Sequence, residues 1–519
     1  MILYIIIVFL NIIIVRYTLF IWKLRKIPSA PGSLPLFGHV FAMLSLQRKH
    51  GIDIGSSFHR LVDDTFKNDS YIHDLGIFKV WLGPLPVIIL SSPETVGCIL
   101  RRSSFSCPKS FFYKIMDIGI VGLINNNGLK WKNHRKLLSP AFDNRIFQDI
   151  VPILSNSGRQ LVNYLSNVVE TNGGIIEDLS KVTYYYTFKI LYESAVGLDF
   201  TENRFNRLDL SLSEAIEHIM QRGLKPWLFS DTLFKMLDKR AMHLIENVLN
   251  PFGMEIFADK LKYRKEYGIG VKDDQENNDV NLLQEKYKSS FLDILIEANE
   301  RDPVNFTEED IFGEFKTFFI AGFDTTANSI TWFIQNIGCH PEIQVKIHEE
   351  LDEIFSDDPE RDGSVEDYKR MKYLDSCIKE SMRLTATVPF TSRAIEDESG
   401  VKITADITLP KGTVVLIYQH CVHLNRNHWK DPLSFNPERF FEDRERHPYS
   451  FIPFSSGQRN CLGKKYASMK QLGILSSILR KFTITSLQRN DEIITEPAVA
   501  MKFKSRLRIK LSKRERFFG

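Results

Sequence analysis

Apolar residues run in three rhythms along this chain, and each implies a different kind of element. The first is continuous: Ile2 to Trp22 reads ILYIIIVFLNIIIVRYTLFIW, broken only by Asn11 and Arg16. At about 1.5 Å per residue that run is long enough to cross a bilayer as a helix. The second is dense and β-rich: GIFKVWLGPLPVIILSSPE, from Gly76, predicts a hairpin turning at Gly83-Pro84. From there to about Leu384 the apolar spacing is mostly helical. Strand-like, turn-rich sequence returns after Arg393 and again near the end, in FTITSL and SRLRIKLS. The fold class expected is mainly α with smaller β-sheet regions.

The longest helix is expected to begin at Thr307, where Thr307 and Asp310 form a capping-box pattern and Glu308 and Glu309 complement the helix dipole. Pro341 lies beyond its end. The run between, IFGEFKTFFIAGFDTTANSITWFIQNIGCH, is apolar on nearly every face and so belongs in the middle of a large body. Yet AGFDTT sits at its centre, with a glycine, an acid and two threonines that a core helix has no use for unless chemistry needs them. The polar stretch KYRKEYGIGVKDDQENNDVNLLQEKYKSS, residues 262–290, is expected to be a solvated loop.

Flanking residues decide the meaning of the first apolar run. No basic segment precedes it and no small-x-small cleavage site follows, so it is not a removable signal peptide. Lys23, Arg25 and Lys26 come next, which places the rest of the chain on the cytosolic side of a membrane. IPSAPGSLPLFGHV then supplies three prolines, a stiff extended strap. The expected organisation is an anchor over 1–22, a basic, proline-rich hinge over 23–36 and a catalytic domain over 37–519. A net charge of +3 gives no reason to expect nucleic acid as a partner. Six cysteines, none in a C-x-x-C pair, suit a reducing compartment rather than a disulfide framework or zinc ribbon.

The candidate chemistry lies in four short patterns. FSSGQRNCLG, Phe454 to Gly463, puts Cys461 between two glycines with Arg459 two places before it. That suits a buried cysteine at a turn, or a metal-ligating thiolate in a thin, electropositive loop. KESMR places Glu380 and Arg383 three apart on one helix face, FNPERF brings Arg439, and WKNHR puts Trp131 and Arg135 four apart. Alone, each of these last three suits a structural role. In the order observed, together with A-G-x-D-T-T and F-x-x-G-x-R-x-C-x-G, they resemble the cytochromes P450 of the membrane-anchored microsomal type. FFYKIMDIGIVGLINNNGLKWKNHRKLLSPAF, QRGLKPWLF and HPYSFIPFSSGQRNCLGKKYA resemble family four of that group, which includes fatty-acid ω-hydroxylases and many insect enzymes.

The resemblance implies a single large haem-binding domain of that fold, with non-covalent haem b as cofactor. Cys461 would be the axial thiolate of the iron, with Gly457 and Gly463 letting the loop turn and approach the porphyrin and Phe454 beside the sulfur. Arg459, Arg393, Trp131 and Arg135 would hold the propionates. Gly322 would let the long helix open beside the iron, and Asp324 and Thr325 would form an acid–alcohol pair that relays protons. Glu380, Arg383 and Arg439 would be a buried charge triad with a fold role. Many family-four members carry glutamate where Ala321 stands, and that carboxylate can form an ester with the haem; alanine cannot.

The activity implied is NADPH- and O2-dependent hydroxylation of an apolar substrate: a fatty acid, a terpenoid hormone or a xenobiotic. No dinucleotide fingerprint is present, so electrons would come from NADPH–cytochrome P450 reductase, with cytochrome b5 as a second donor, at the endoplasmic reticulum membrane. Lys132, Lys136, Lys464 and Lys465 are candidates to dock the reductase. The substrate walls would come from Phe111 to Asn126, the region near Trp227, Phe319, Phe323 and residues after Val388. The alternatives are a haem-thiolate isomerase or dehydratase that needs no reductase, against which Asp324-Thr325 argues, and a non-catalytic haem-binding protein.

Overall fold

A computed structural model of the chain describes residues 1–142, 144–203, 205–206, 214–215, 217–219, 222–223, 225, 228–269, 290–441, 445–497 and 500–514; the side chains of residues 2, 3, 5, 6 and 144–148 lie outside the description. In chain order, the elements that bear on function are α1 (Ile2–Lys23), β1 (Ile77–Leu82), β2 (Leu85–Leu90), α2 (Gly128–Leu138), α3 (Leu179–Val196), α4 (Asn250–Glu266) and α5 (Phe291–Arg301). They continue with α6 (Glu308–Gly338), α7 (Lys372–Leu384), β3 (Thr391–Ala394), β4 (Val414–Ile417), α8 (Lys464–Leu479), β5 (Phe482–Ser486) and β6 (Ile509–Lys513). The chain forms two compact units, each assembled from three stretches. The first comprises Met1–Lys114, Val388–Ser434 and Glu445–Cys461; the second comprises Ile115–Thr387, Phe435–Arg444 and Leu462–Gly519.

The first unit is built on a four-stranded sheet in the order β1-β2-β4-β3. The expected hairpin forms: β1 and β2 pair antiparallel from Ile77↔Leu90 to Leu82↔Leu85, with Gly83 at φ +59° in the turn. β2 lies parallel to β4 (Val87↔Val414), and β3 runs antiparallel to β4 (Arg393↔Val415). Val87 to Leu90 are all buried, the continuous apolar run that a strand covered on both faces requires.

The proline strap is extended, as its composition predicts, but it is no free hinge. Lys79 donates its backbone N–H to Pro28 O at 2.8 Å and accepts from Ala30 N at 2.9 Å, and Leu24, Ile27 and Ala30 are buried in the unit's core. The apolar N-terminal run forms a single helix, α1, with nearly all its described side chains exposed. Among the described residues no helix is long and apolar enough to cross a membrane.

In the second unit the long helix starts and ends where its caps predict. Thr307 accepts from Asp310 N, the Asp310 carboxylate accepts in return from Thr307 N at 3.0 Å, and Pro341 opens the next helix. α6 is packed by α3, α5, α7 and α8, which explains why it is apolar all round. The expected charge triad is present, with Glu380 and Arg383 buried and Arg439 half-buried. Arg383 donates to both Glu380 oxygens, at 2.7 and 2.8 Å, and Arg439 Nε and Asn436 N reach Glu380 Oε1 at 3.0 and 2.9 Å. The strands expected near the C-terminus pair as β5 and β6, Ile509 opposite Ser486.

The polar stretch over 262–290 is only partly described, and its beginning is not a solvated loop. α4 continues through Glu266, and Arg264 is buried, bonding Asp293 at 3.0 Å and Glu300 at 3.2 Å. The cause lies outside the stretch. Asp293 caps α5 from inside the protein and also pairs with Lys260 at 2.8 Å, so it draws two cations of α4 inward. Residues 270–289 of that stretch, and Trp227 of the expected substrate wall, lie outside the described residues.

Candidate functional site

The residues singled out from the sequence divide between the two units. In the first, the loop from Phe454 to Cys461 closes on itself: Ser455 N bonds Ile452 O, a short 3-10 turn spans Gly457–Arg459, and Cys461 N donates to Phe454 O at 2.9 Å. These bonds hold the backbone behind the sulfur, and the Cys461 side chain lies exposed at the end of the loop. Gly457 has φ +72°, and a Cβ there would sit 2.1 Å from Leu100 O. Glycine is therefore required by backbone conformation and by contact with the protein itself. Gly463 has an ordinary φ of −81°, and an added Cβ would meet Phe142 at 3.9 Å, so no turn in the backbone demands glycine there.

Two of the expected propionate-binding residues meet in this unit with a third cation. Arg393, on β3, is buried; Nη1 donates to Ser392 O at 2.8 Å, and Nη2 is buried with no hydrogen-bond partner. Arg459 is also buried, and Lys109 is half-buried with its ammonium 3.8 Å above the Tyr113 ring. Burial, followed by repulsion from Arg393 and Arg459, pushes the Lys109 ammonium well below the usual lysine range. Burial likewise lowers Arg393. Cations crowded in this way favour an anionic ligand with several oxygens. Lys109 was not among the residues expected, since a lone lysine between Pro108 and Ser110 carries no local signal.

In the second unit, Trp131 and His134 of α2 are buried and Arg135, four places after Trp131, is half-buried on the same side. Over residues 317–337 of α6 the side chains are buried except at Phe318, Ala321, Gly322 and Thr325, which are only half-buried. Positions spaced by three and four share a helix face, so AGFDTT contributes small and hydroxyl groups to one accessible stripe. Thr325 Oγ1 donates to Ala321 O at 2.7 Å, and Thr326 Oγ1 to Gly322 O at 3.0 Å.

The helix geometry bears on two expectations for this segment. α6 does not open at Gly322: the helix is continuous, and an added Cβ would lie 3.0 Å from Leu191 Cδ1, so the glycine lets α3 close on α6. Asp324 and Thr325, as successive helix residues, point about 100° apart. Asp324 is buried toward α3, where Tyr184 OH donates to Oδ1 at 2.6 Å and Asn328 Nδ2 approaches the same oxygen at 3.3 Å. Sequence spacing could have found Asn328, four residues on. It could not have found Tyr184, or Lys470 of α8, a buried lysine that donates to Gly322 O at 2.9 Å.

Comparison with known proteins gives the family directly. A family model described as Cytochrome P450 matches residues 28–510. The chain is 31% identical over 505 residues to "Cytochrome P450 4V2" of Mus musculus, covering 95% of this chain and 90% of that protein. It is 30% identical over 502 residues to "Cytochrome P450 4V2" of Homo sapiens, with 95% and 90% covered. It is also 30% identical over 525 residues to "Cytochrome P450 4c3" of Drosophila melanogaster, with 98% and 93% covered.

Proposed function

This chain belongs to the cytochrome P450 family, whose members are haem-thiolate monooxygenases, and we propose that Cys461 is the thiolate that holds the iron. The observation that carries this reading is the pairing, within the first unit, of an exposed cysteine on a self-closed loop with a buried group of cations, Lys109, Arg393 and Arg459. A porphyrin with two propionates and a soft-ligand metal matches that donor set. When bound, the thiolate-ligated haem supplies the oxidising chemistry that puts one atom of O2 into the substrate.

The chain's own residues do the rest. Arg393, Arg459 and Lys109 would hold the propionates by charge-assisted hydrogen bonds. Phe454, whose carbonyl takes the Cys461 N–H, would pack beside the sulfur and exclude water, and Gly463 would leave the backbone after Cys461 thin. The small side chain of Ala321 leaves room on the accessible stripe of α6, and Thr325 Oγ1 holds a proton there. Asp324, bonded to Tyr184 and Asn328, acts through the position of the helix rather than as Thr325's partner. The substrate is apolar (a fatty acid, terpenoid or xenobiotic). NADPH–cytochrome P450 reductase supplies electrons, assisted by cytochrome b5, docking on exposed Lys132, Lys136, Lys464 and Lys465. α1, followed by Lys23, Arg25 and Lys26, anchors the enzyme in the endoplasmic reticulum membrane with its body in the cytosol.

The test is the absorbance spectrum of the reduced, CO-bound protein, followed by product formation with NADPH and added reductase. The wild type is expected to give the thiolate-type spectrum, and Cys461→Ser to lose both spectrum and turnover, because a hydroxyl is a far weaker donor to iron. Normal turnover by Cys461→Ser would overturn the assignment.

A further inference from the structure

A carboxylate of α6 holds the loop between Ile115 and α2. Glu314 is buried, and its two oxygens have different partners: Oε1 lies 2.7 Å from Nδ1 of buried His134 on α2, and Oε2 accepts the backbone N–H of Leu123 at 2.9 Å. The loop meets the helix at that point with no space to spare. A Cβ on Gly122 would fall 2.2 Å from Thr317 Oγ1 and 2.9 Å from Gly313 O, and one on Gly313 would fall 1.8 Å from Val121 O. Inside the loop, Asn125 Oδ1 takes the Gly122 N–H at 2.8 Å, and Asn125 Nδ2 bonds Asp117 and Ile120 O. A second tie sits one turn earlier, where Lys130 meets Asp310 at 2.7 Å.

Leu123 is in no helix or strand, so its amide takes its hydrogen bond from Glu314 rather than from a ladder. Glu314 itself lies seven residues, or about 10 Å, before Ala321 along the axis of α6. The segment it holds therefore runs over α6 just N-terminal to the accessible stripe.

We propose that Glu314, fixed by His134, is a positioning residue that pins residues 119–126 to α6 as a rigid wall and thereby limits the length and shape of the apolar substrates that fit beside Ala321 and Thr325. This rests on the monooxygenase reading of that stripe. The division of labour is chemical. His134 fixes the orientation of the carboxylate, the second oxygen takes the loop, and the facing glycines let the two backbones meet. Removing the carboxylate leaves the His134 ring and the Leu123 N–H buried without their acceptor, so the loop must rise to find water.

The test uses the full-length, haem-loaded protein and two readouts. Amide exchange is followed across residues 119–127 without substrate, and a series of saturated fatty acids of increasing chain length is titrated by the spectral shift of the haem. Glu314→Ala is expected to raise exchange in that segment about tenfold. It is also expected to change the ratio of affinities between the longest and shortest acids by about tenfold, with the reduced CO spectrum unchanged. Glu314→Asp keeps the charge but is a methylene too short for both partners, and should behave alike if the alanine variant does not retain haem. Glu314→Gln, which still offers Leu123 an acceptor, should restore the wild-type exchange. Wild-type exchange in both the Ala and Asp variants, or an affinity loss equal for every acid, would overturn the proposal. A wild type that shows no thiolate-type spectrum would instead fail the monooxygenase reading on which it rests.

Discussion

Lys470 allows a prediction whose sign is opposite to that of most substitutions in a core. Its side chain is fully buried between α8, α3 and α6, donating to Gly322 O at 2.9 Å and Thr187 O at 3.5 Å, with the Tyr466 ring 5.1 Å away. Burial pulls its pKa from 10.5 to about 7. The unfolded chain thus holds the proton more tightly than the folded one, and between those two values it binds more protons. Stability linked to this lysine is fully present above the unfolded value and is lost as pH falls toward about 7. At about 1.4 kcal/mol per tenfold, the difference has a ceiling of roughly 5 kcal/mol, and local relaxation lowers it. Lys470→Met has no such dependence. The free energy of wild type minus that of the variant, from urea midpoints of the holoenzyme between pH 6 and 9.5, should therefore rise with pH, by at most about 1.4 kcal/mol per pH unit above pH 7. At pH 6 the variant should be the more stable, despite losing two hydrogen bonds. Other titrating groups cancel in the difference. Parallel curves would refute the reasoning, because they would mean that Lys470 reaches water or an unseen acid.

Four further outcomes follow from the same geometry. Glu380→Gln leaves Arg383 buried beside a neutral amide and should cost about 3–5 kcal/mol, read as a lowered unfolding midpoint, whereas an unchanged midpoint would mean the site is wet. Thr325→Ala should retain haem yet yield less product per NADPH consumed, because the accessible stripe of α6 loses its hydroxyl; an unchanged ratio would make Thr325 structural. Haem should separate from the wild-type polypeptide in acid and organic solvent, because Ala321 offers no carboxylate for an ester and Glu314 is about 10 Å away along the helix, engaged with His134 and Leu123. Ala321→Glu should acquire a covalently bound fraction during turnover, measured as haem co-eluting with protein on a denaturing column.

Features set by near neighbours in the chain were legible from the residues alone. The cap at Thr307, the stop at Pro341, the hairpin at Gly83 and the Glu380–Arg383 pair all depend on residues within a few positions of one another. The compact loop that carries Arg459 and Cys461 was legible too, since the two lie two residues apart and close into one turn. What could not be read were the partners. Asp324 stands beside Thr325 in sequence, but the helix turns them apart and gives the acid to Tyr184, some 140 residues earlier. Gly457 is required by Leu100 O, and Arg264 is drawn out of a polar stretch by Asp293.

These cases share a cause. A hydrogen bond or a steric limit belongs to two residues at once, and one of them can lie anywhere in the chain. The motif at 321–326 therefore marks one helix, while the contacts of each residue within it depend on what packs around it. Thr325 is left facing the accessible stripe, with its hydroxyl on its own helix. Asp324 is given to α3, and Gly322 is given to Leu191 on one side and Lys470 on the other. A substitution at Tyr184, Leu191 or Lys470 should consequently reach the reaction through the position of α6, although none of the three belongs to the motif. Tyr184→Phe, which removes only the hydroxyl bonded to Asp324, is the smallest such change.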